Sequence, residues 1–248
     1  MKKVLEVCVD SLASAHAAVA GGADRLELCS ALAVGGLSPY AELLRQIKAV
    51  CDLPVRCLMR PRPGDFLYSE EEIQLLCAQI ETLRRAGADG FVIGALTPDG
   101  TLDELAMKRL LAACNGMPVT LHRCIDVACD LEEVYRAAAR LGVDTVLTSG
   151  GAASCTGGIV QLERLLTLRD TMDGPEVLIG SGVNAQVIAA LRARLPGARA
   201  FHMSGKTLIE SGMRFRREGV PMGLPGLDEW HIQQTDATAV RLAKDALV

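Results

Sequence analysis

The chain has 248 residues, 50% of them hydrophobic and 23% charged, with a formal net charge of −4. That composition is ordinary for a soluble globular protein, and its mild acidity excludes a surface built to attract nucleic acid or anionic lipid. No uncharged apolar run approaches the roughly 20 residues that span a bilayer. Met1-Lys2-Lys3 enters a strand-like run without a signal-peptide core, so the expected compartment is the cytoplasm.

In chain order, short β-rich runs alternate with longer helical stretches. Strands are predicted at 4–9, 25–29, 55–59, 90–93, 119–122, 145–148, 177–179 and 200–203. Gly22-Ala23-Asp24, Gly87-Ala88-Asp89, Gly142-Val143-Asp144 and Gly197-Ala198-Arg199 each stand just before a strand, where glycine can close a helix in the left-handed conformation. Helix starts are marked by Ser38-Pro39, with proline in the first turn, and by Ser69 with Glu72 and Thr101 with Glu104 at capping-box spacing; Asp130 with Glu133 repeats it.

Strict alternation of this kind requires crossover connections and so a parallel sheet. Eight βα units in a chain of this size predict a single (β/α)8 TIM-type barrel over residues 1–248, with an open sheet as the alternative. No GxGxxG follows the first strand, which disfavours a Rossmann fold and indicates no nucleotide cofactor. Residues 210–234 break the repeat, with Gly212, Gly219, Pro221, Gly223, Pro225 and Gly226 ahead of a last helix starting near Thr235 or Asp236. A connection that long either folds over the barrel mouth or docks on a second subunit.

Nine cysteines without a CxxC pair exclude a disulfide framework, and Cys51, Cys77 and Cys114 are expected as small packing residues. Cys8 and Cys29 differ, because Leu5-Glu6-Val7-Cys8 and Leu26-Glu27-Leu28-Cys29 repeat one pattern. Side chains alternate across a strand, so Glu6 shares a face with Cys8, and Glu27 with Cys29. A carboxylate in an apolar strand is costly unless paired, so a cation, a metal or a cavity is expected beside each.

In a barrel the site lies at the C-terminal strand ends. Besides the two repeats, those ends carry Arg60, His122 with Arg123 and Asp126, Thr148 with Ser149, Ser181, and His202 with Ser204. Pairing of Glu6 and Glu27 with Arg60 or Arg123 is the purely structural explanation. Buried ion pairs are often replaceable by apolar groups at no cost, however, so the convergence of so many favours a ligand. Gly180-Ser181-Gly182-Val183 and Ser204-Gly205 stand where barrels often hold a phosphate on backbone N–H groups. Arg60 opens a stiff basic loop, Arg60-Pro61-Arg62-Pro63, and is placed to contact a carboxylate or phosphate.

These segments carry a family resemblance. Leu5-Glu6-Val7-Cys8, the run from Gly22 to Cys29, Gly35-Gly36, Arg60-Pro61-Arg62-Pro63-Gly64-Asp65-Phe66, His122-Arg123, Asp126 and Leu147-Thr148-Ser149-Gly150 are similar to the CutC family, often labelled copper homeostasis proteins. The resemblance extends to about Met222. It implies a TIM-type barrel, a cytoplasmic homo-oligomer, and copper binding with Cys8 and Cys29 as ligands. Thiolate suits Cu(I), and adjacent parallel strands bring the two cysteines toward one ion; Glu6 and Glu27 are harder oxygen donors, and neither strand carries a histidine. Where the family commonly has alanine and phenylalanine after the His-Arg pair, this chain has Cys124 and Ile125, and Cys124 is expected to turn away and pack.

Two functions fit these residues. In one, Cys8 and Cys29 bind Cu(I), and the protein buffers or carries copper. In the other, an isomerase, epimerase or aldolase acts on a small anionic, carboxylated or phosphorylated metabolite. There Glu6 or Glu27 is the general base and His122 the acid, Arg60 and Arg123 clamp the anion, and Asp126, Ser181, His202 and Ser204 surround it. Lys206 is a minor candidate for Schiff-base chemistry, since an exposed loop lysine is usually a solvated charge.

Overall fold

The predicted alternation becomes a closed cylinder. Its strands are β1 (Val4–Val9), β2 (Arg25–Leu28), β3 (Val55–Leu58), β4 (Gly90–Ile93), β5 (Val119–Leu121), β6 (Thr145–Thr148), β7 (Glu176–Ile179) and β8 (Ala200–Met203). Each pairs in parallel with its neighbour in sequence, and β8 pairs with β1, which rules out the open sheet. This computed structural model describes residues 3–223, 226 and 228–248; Met1, Lys2 and, in the long connection, Pro225 lie outside the described residues.

Helices α1 (Leu12–Ala20), α2 (Ala41–Lys48), α3 (Glu70–Arg85), α4 (Glu104–Cys114), α5 (Leu131–Arg140), α6 (Ile159–Met172) and α7 (Ala185–Arg194) fill the connections, and α8 (Ala237–Leu247) follows the last strand. Strand alternation divides the core in two. Leu5, Val7, Val9, Leu26 and Leu28 pack outward into one large cluster with helix residues such as Leu44, Leu76 and Leu110. The side chains between them turn toward the barrel axis, where Val4, Leu147, Leu178 and Ala200 form an apolar cluster and Cys8, Cys29, Leu58 and Val92 another.

Local signals decide where helices begin and end. Ser69 forms the expected reciprocal capping box with Glu72, and the Asp130 side chain accepts from the Glu133 N–H. α4 differs: Asp103 caps it by accepting from Leu105 and Ala106, while Thr101 Oγ1 lies 2.7 Å from Thr97 Oγ1 and braces the preceding turn. Pro39 stands outside α2, whose cap residue is Tyr40. Gly22, Gly87 and Gly142 have φ of 86°, 100° and 77°, as a left-handed helix stop requires. Gly197 is not among the positive-φ glycines, because α7 ends earlier and Leu195-Pro196 already turns the chain.

The segment after β8 is not irregular throughout. Strand β9 (Lys206–Glu210) pairs antiparallel with β10 (His231–Thr235), so the long connection begins and ends in one ladder. Thr235 ties the ladder to the barrel, its Oγ1 donating to Ser204 O at 3.1 Å and its N–H to Ser14 Oγ at 3.2 Å. Beyond that anchor the arm exposes Leu208, Phe215, Met222 and Ile232.

Candidate functional site

Register places the inward side chains of three strands side by side. Glu6 stands opposite Arg25 of β2 and His202 of β8, and Cys8 stands opposite Glu27. Glu6 is fully buried, with Arg25 Nε 2.5 Å from its Oε2 and His202 Nδ1 2.8 Å from its Oε1. Its carboxyl titrates at about 2: burial alone would raise it, but Arg25, His202 and Arg56 together outweigh that.

One step toward the mouth, Glu27 receives the Cys29 thiol on Oε2 at 3.3 Å, and His202 Nε2 lies 3.8 Å from the same oxygen. Burial, reinforced by the nearby Glu6 charge, holds the Glu27 carboxyl above its usual range despite His202. The Cys29 thiol is pushed well up by burial first and by the Glu27 charge next. Burial disfavours a charged His202, yet Glu27, Cys8 and Glu6 override it and hold the imidazole well above its ordinary value. Ligand atoms of Cys8, Glu27 and His202 all lie within 4.8 Å of one another.

These three residues form one wall of a cavity of about 330 Å³ at the C-terminal strand ends. Arg60, Phe66, His122, Arg123, Ser181, Ser204 and Lys206 also contribute to the lining. Arg60 bonds its own scaffold: Nη1 donates to Val34 O and Gly36 O at 3.1 and 3.2 Å, and Nη2 to Gly64 O at 2.9 Å. Its guanidinium sits 5.3 Å from the centre of the Phe66 ring, and that ring lies 4.8 Å from His122. His122 is buried and titrates at about 3, lowered first by burial and then by the Arg60 charge.

Of the remaining predicted residues, Asp126 is an organiser. Its carboxylate accepts from Thr148 Oγ1, from the N–H groups of Ser149 and Gly151, and from Arg123 Nε at 2.7 Å, fastening the β6 loop beneath the mouth. Ser181 Oγ donates to Ala153 O at 2.7 Å, and Lys206 Nζ to Gln233 Oε1 at 3.0 Å. Cys124 is fully buried in the outer core, as expected. The carboxylates expected to meet Arg60 or Arg123 pair instead with Arg25 and His202.

Arg25 and Arg56 are the functional neighbours that attention to strand ends misses. Arg56 Nη1 donates to Thr120 Oγ1 at 2.5 Å, and the buried guanidinium titrates at about 10, lowered by burial and then by Arg25. The available signal is parity: Arg25 shares a face with Glu27, and Arg56 shares one with Leu58 and Arg60.

Such a molecule is a (β/α)8 barrel with a thiol, a carboxylate and an imidazole converging inside its mouth. The chain belongs to the CutC family, whose model matches residues 3–207. It is 39% identical over 250 residues to the human "Copper homeostasis protein cutC homolog", covering 99% of this chain and 90% of that protein. It is 40% identical over 248 residues to a CutC family protein of Chromobacterium violaceum, covering 100% and 99%. A solved Streptococcus agalactiae structure, described as a copper homeostasis protein CutC, aligns with a TM-score of 0.76 at 24% identity over 82% of this chain and 98% of that one. Phosphoribosylanthranilate isomerase from Pyrococcus furiosus aligns over 99% and 98% with a TM-score of 0.53 and 15% identity, a likeness of fold. No helix of the described residues is long and apolar enough to cross a membrane.

Proposed function

We propose that this chain is a cytoplasmic copper homeostasis protein that binds Cu(I) inside the barrel mouth. The observation that carries this reading is the position of the His202 ring. Glu6 Oε1 lies 2.8 Å from Nδ1, which leaves Nε2 for the space shared with Cys8 and Glu27. A carboxylate behind a histidine fixes the tautomer and orientation of a metal ligand.

The donor set suits a soft cation in part. Sulfur of Cys8 and imidazole nitrogen of His202 match Cu(I), whereas Glu27 offers a harder oxygen. Cys29 packs in the same cluster as Cys8 and is the second sulfur; its proton, now directed at Glu27, must leave before it ligates. Copper therefore competes with protons for this wall, and acid weakens binding. The names of the human and Streptococcus agalactiae relatives support copper as the cargo. The exposed Leu208, Phe215, Met222 and Ile232 of the arm support a homo-oligomer, which sedimentation of the purified protein tests.

The decisive experiment titrates metal-free protein with Cu(I) under reducing conditions against a chromophoric chelator. Cys8→Ser is expected to abolish stoichiometric binding and Cys29→Ser to weaken it, while Glu6→Gln weakens it roughly tenfold through the misoriented imidazole. Unchanged stoichiometry and affinity in the double Cys8→Ser, Cys29→Ser variant reject the reading.

A further inference from the structure

Two loops at the cavity rim leave donors unused. Ser181, Gly182 and Val183 follow β7, Ser204 and Lys206 follow β8, and all five line the cavity. The pairing of Ile179 with Phe201 continues past the strand ends, since a Cβ on Gly180 would lie 3.6 Å from His202 Cβ, so the two loops leave the barrel side by side. Among the described residues, the backbone N–H groups of Gly182 and Ser204 have no hydrogen-bond partner. Gly182 is exposed and Ser204 partly so, which leaves these donors open to the mouth.

The first loop is held in a costly shape. Ser181 has φ of 73° and Gly182 of 77°, and serine lacks glycine's freedom there. Two bonds to the β6 loop keep it in place: Ser181 Oγ donates to Ala153 O at 2.7 Å, and Ser181 O accepts from the Cys155 N–H at 3.0 Å. Arg123 reaches the carbonyl one residue earlier, with Nη2 3.5 Å from Ala152 O. Arg123 and Ser181 thus grip consecutive carbonyls, which sets the guanidinium beside the Gly182 turn. Its Nη1 has no partner among the described residues, and the side chain is 41% exposed. On the other loop, Lys206 Nζ donates to the neutral Gln233 Oε1 and, among the described residues, meets no carboxylate.

We infer that this rim binds a phosphate group, with the Gly182 and Ser204 N–H groups, Arg123 Nη1 and Lys206 Nζ as donors. Backbone N–H groups of a left-handed turn form an anion-binding concavity, and barrels often hold phosphate after strands seven and eight. Donors arriving from three separate loops suit the oxygens of a tetrahedral anion better than the two of a planar carboxylate. The cavity of about 330 Å³ is at the lower end of small-molecule sites, which run from about 300 to 1,000 Å³, so an organic group attached to the phosphate also fits. The site shares the cavity with Cys8, Glu27 and His202 but uses none of them, and it does not depend on copper.

The test uses metal-free, full-length protein, titrated calorimetrically at constant ionic strength with inorganic phosphate and separately with glycerol phosphate. Because neither titration involves copper, failure here and failure of the copper reading are separate results. Saturable binding that is tighter for glycerol phosphate identifies a phosphorylated metabolite as the ligand, and equal binding of the two identifies phosphate itself. Lys206→Gln, at an exposed position, removes the charge but keeps a polar side chain, and is expected to weaken binding roughly tenfold. The amide NMR signal of Gly182 in the unaltered protein supplies a second readout should that variant fold poorly, and it should shift on saturation. Binding of neither compound, equal affinity in folded Lys206→Gln, or an unmoved Gly182 amide signal at saturation overturns the inference.

Discussion

The Glu6–His202 pair and His122 are ionisable groups held largely away from water in one barrel interior, yet their charge states diverge. Glu6 remains ionised because Arg25 and His202 touch it, and His202 keeps its proton because Glu27, Cys8 and Glu6 surround it. His122 faces Phe66 and a guanidinium and is neutral. Burial penalises charge in both places, and the sign of the neighbour decides whether the charge survives.

The sharpest way to break this contrast is to remove the arginine that balances the charged wall. Arg25→Met leaves the fully buried Glu6 carboxylate with His202 as its remaining hydrogen-bonded ion-pair partner, and urea unfolding is expected to register a loss of about 3 kcal/mol. Asp126→Asn should cost less, roughly 2 kcal/mol, since an amide retains one acceptor for the donors of Thr148, Ser149 and Gly151 but loses the charge facing Arg123.

Taken per pH unit, the smallest effect comes from the neutral His122 and appears as a pH slope. The unfolded chain protonates His122 below its ordinary value of 6.5, and the folded chain resists until about 3. The unfolded state thus binds more protons across that window, so the His122 contribution to stability is present above 6.5 and is lost as pH falls through it toward 3, by up to about 1.4 kcal/mol per pH unit. His122→Asn should flatten that part of the profile, and denaturant midpoints measured from pH 7 to 4 check it.

Much of the fold was legible because alternation and helix punctuation are local. The strands at 4–9, 90–93, 145–148 and 200–203 match their observed bounds, and the others differ by one residue at an end. His122 shows why: its ring leaves the strand to cap the 3-10 turn Arg123–Val127, a contact that alternation does not encode. The β9–β10 ladder was hidden for a related reason, since its strands are short, exposed and separated by the whole arm.

The site was legible in its members more than in its pairings. Glu6, Glu27, Cys8, His122 and His202 stand out as polar residues in or beside strands, but the partner of a buried carboxylate depends on barrel closure. Arg25 stands at the start of β2, away from the C-terminal strand ends where barrel sites lie, so its position alone does not mark it. Asp126 appeared as a ligand-side charge, and only the crowd of N–H and O–H donors around it identifies it as a fastener.

The bond between Glu6 and His202 joins residues 196 positions apart, across the seam where the last barrel strand meets the first. A nascent chain on the ribosome therefore carries Cys8 and Glu27 long before the imidazole of His202 is made. Assembly of the three-residue cluster is a late event in the protein's birth, and it reports that the cylinder has been completed.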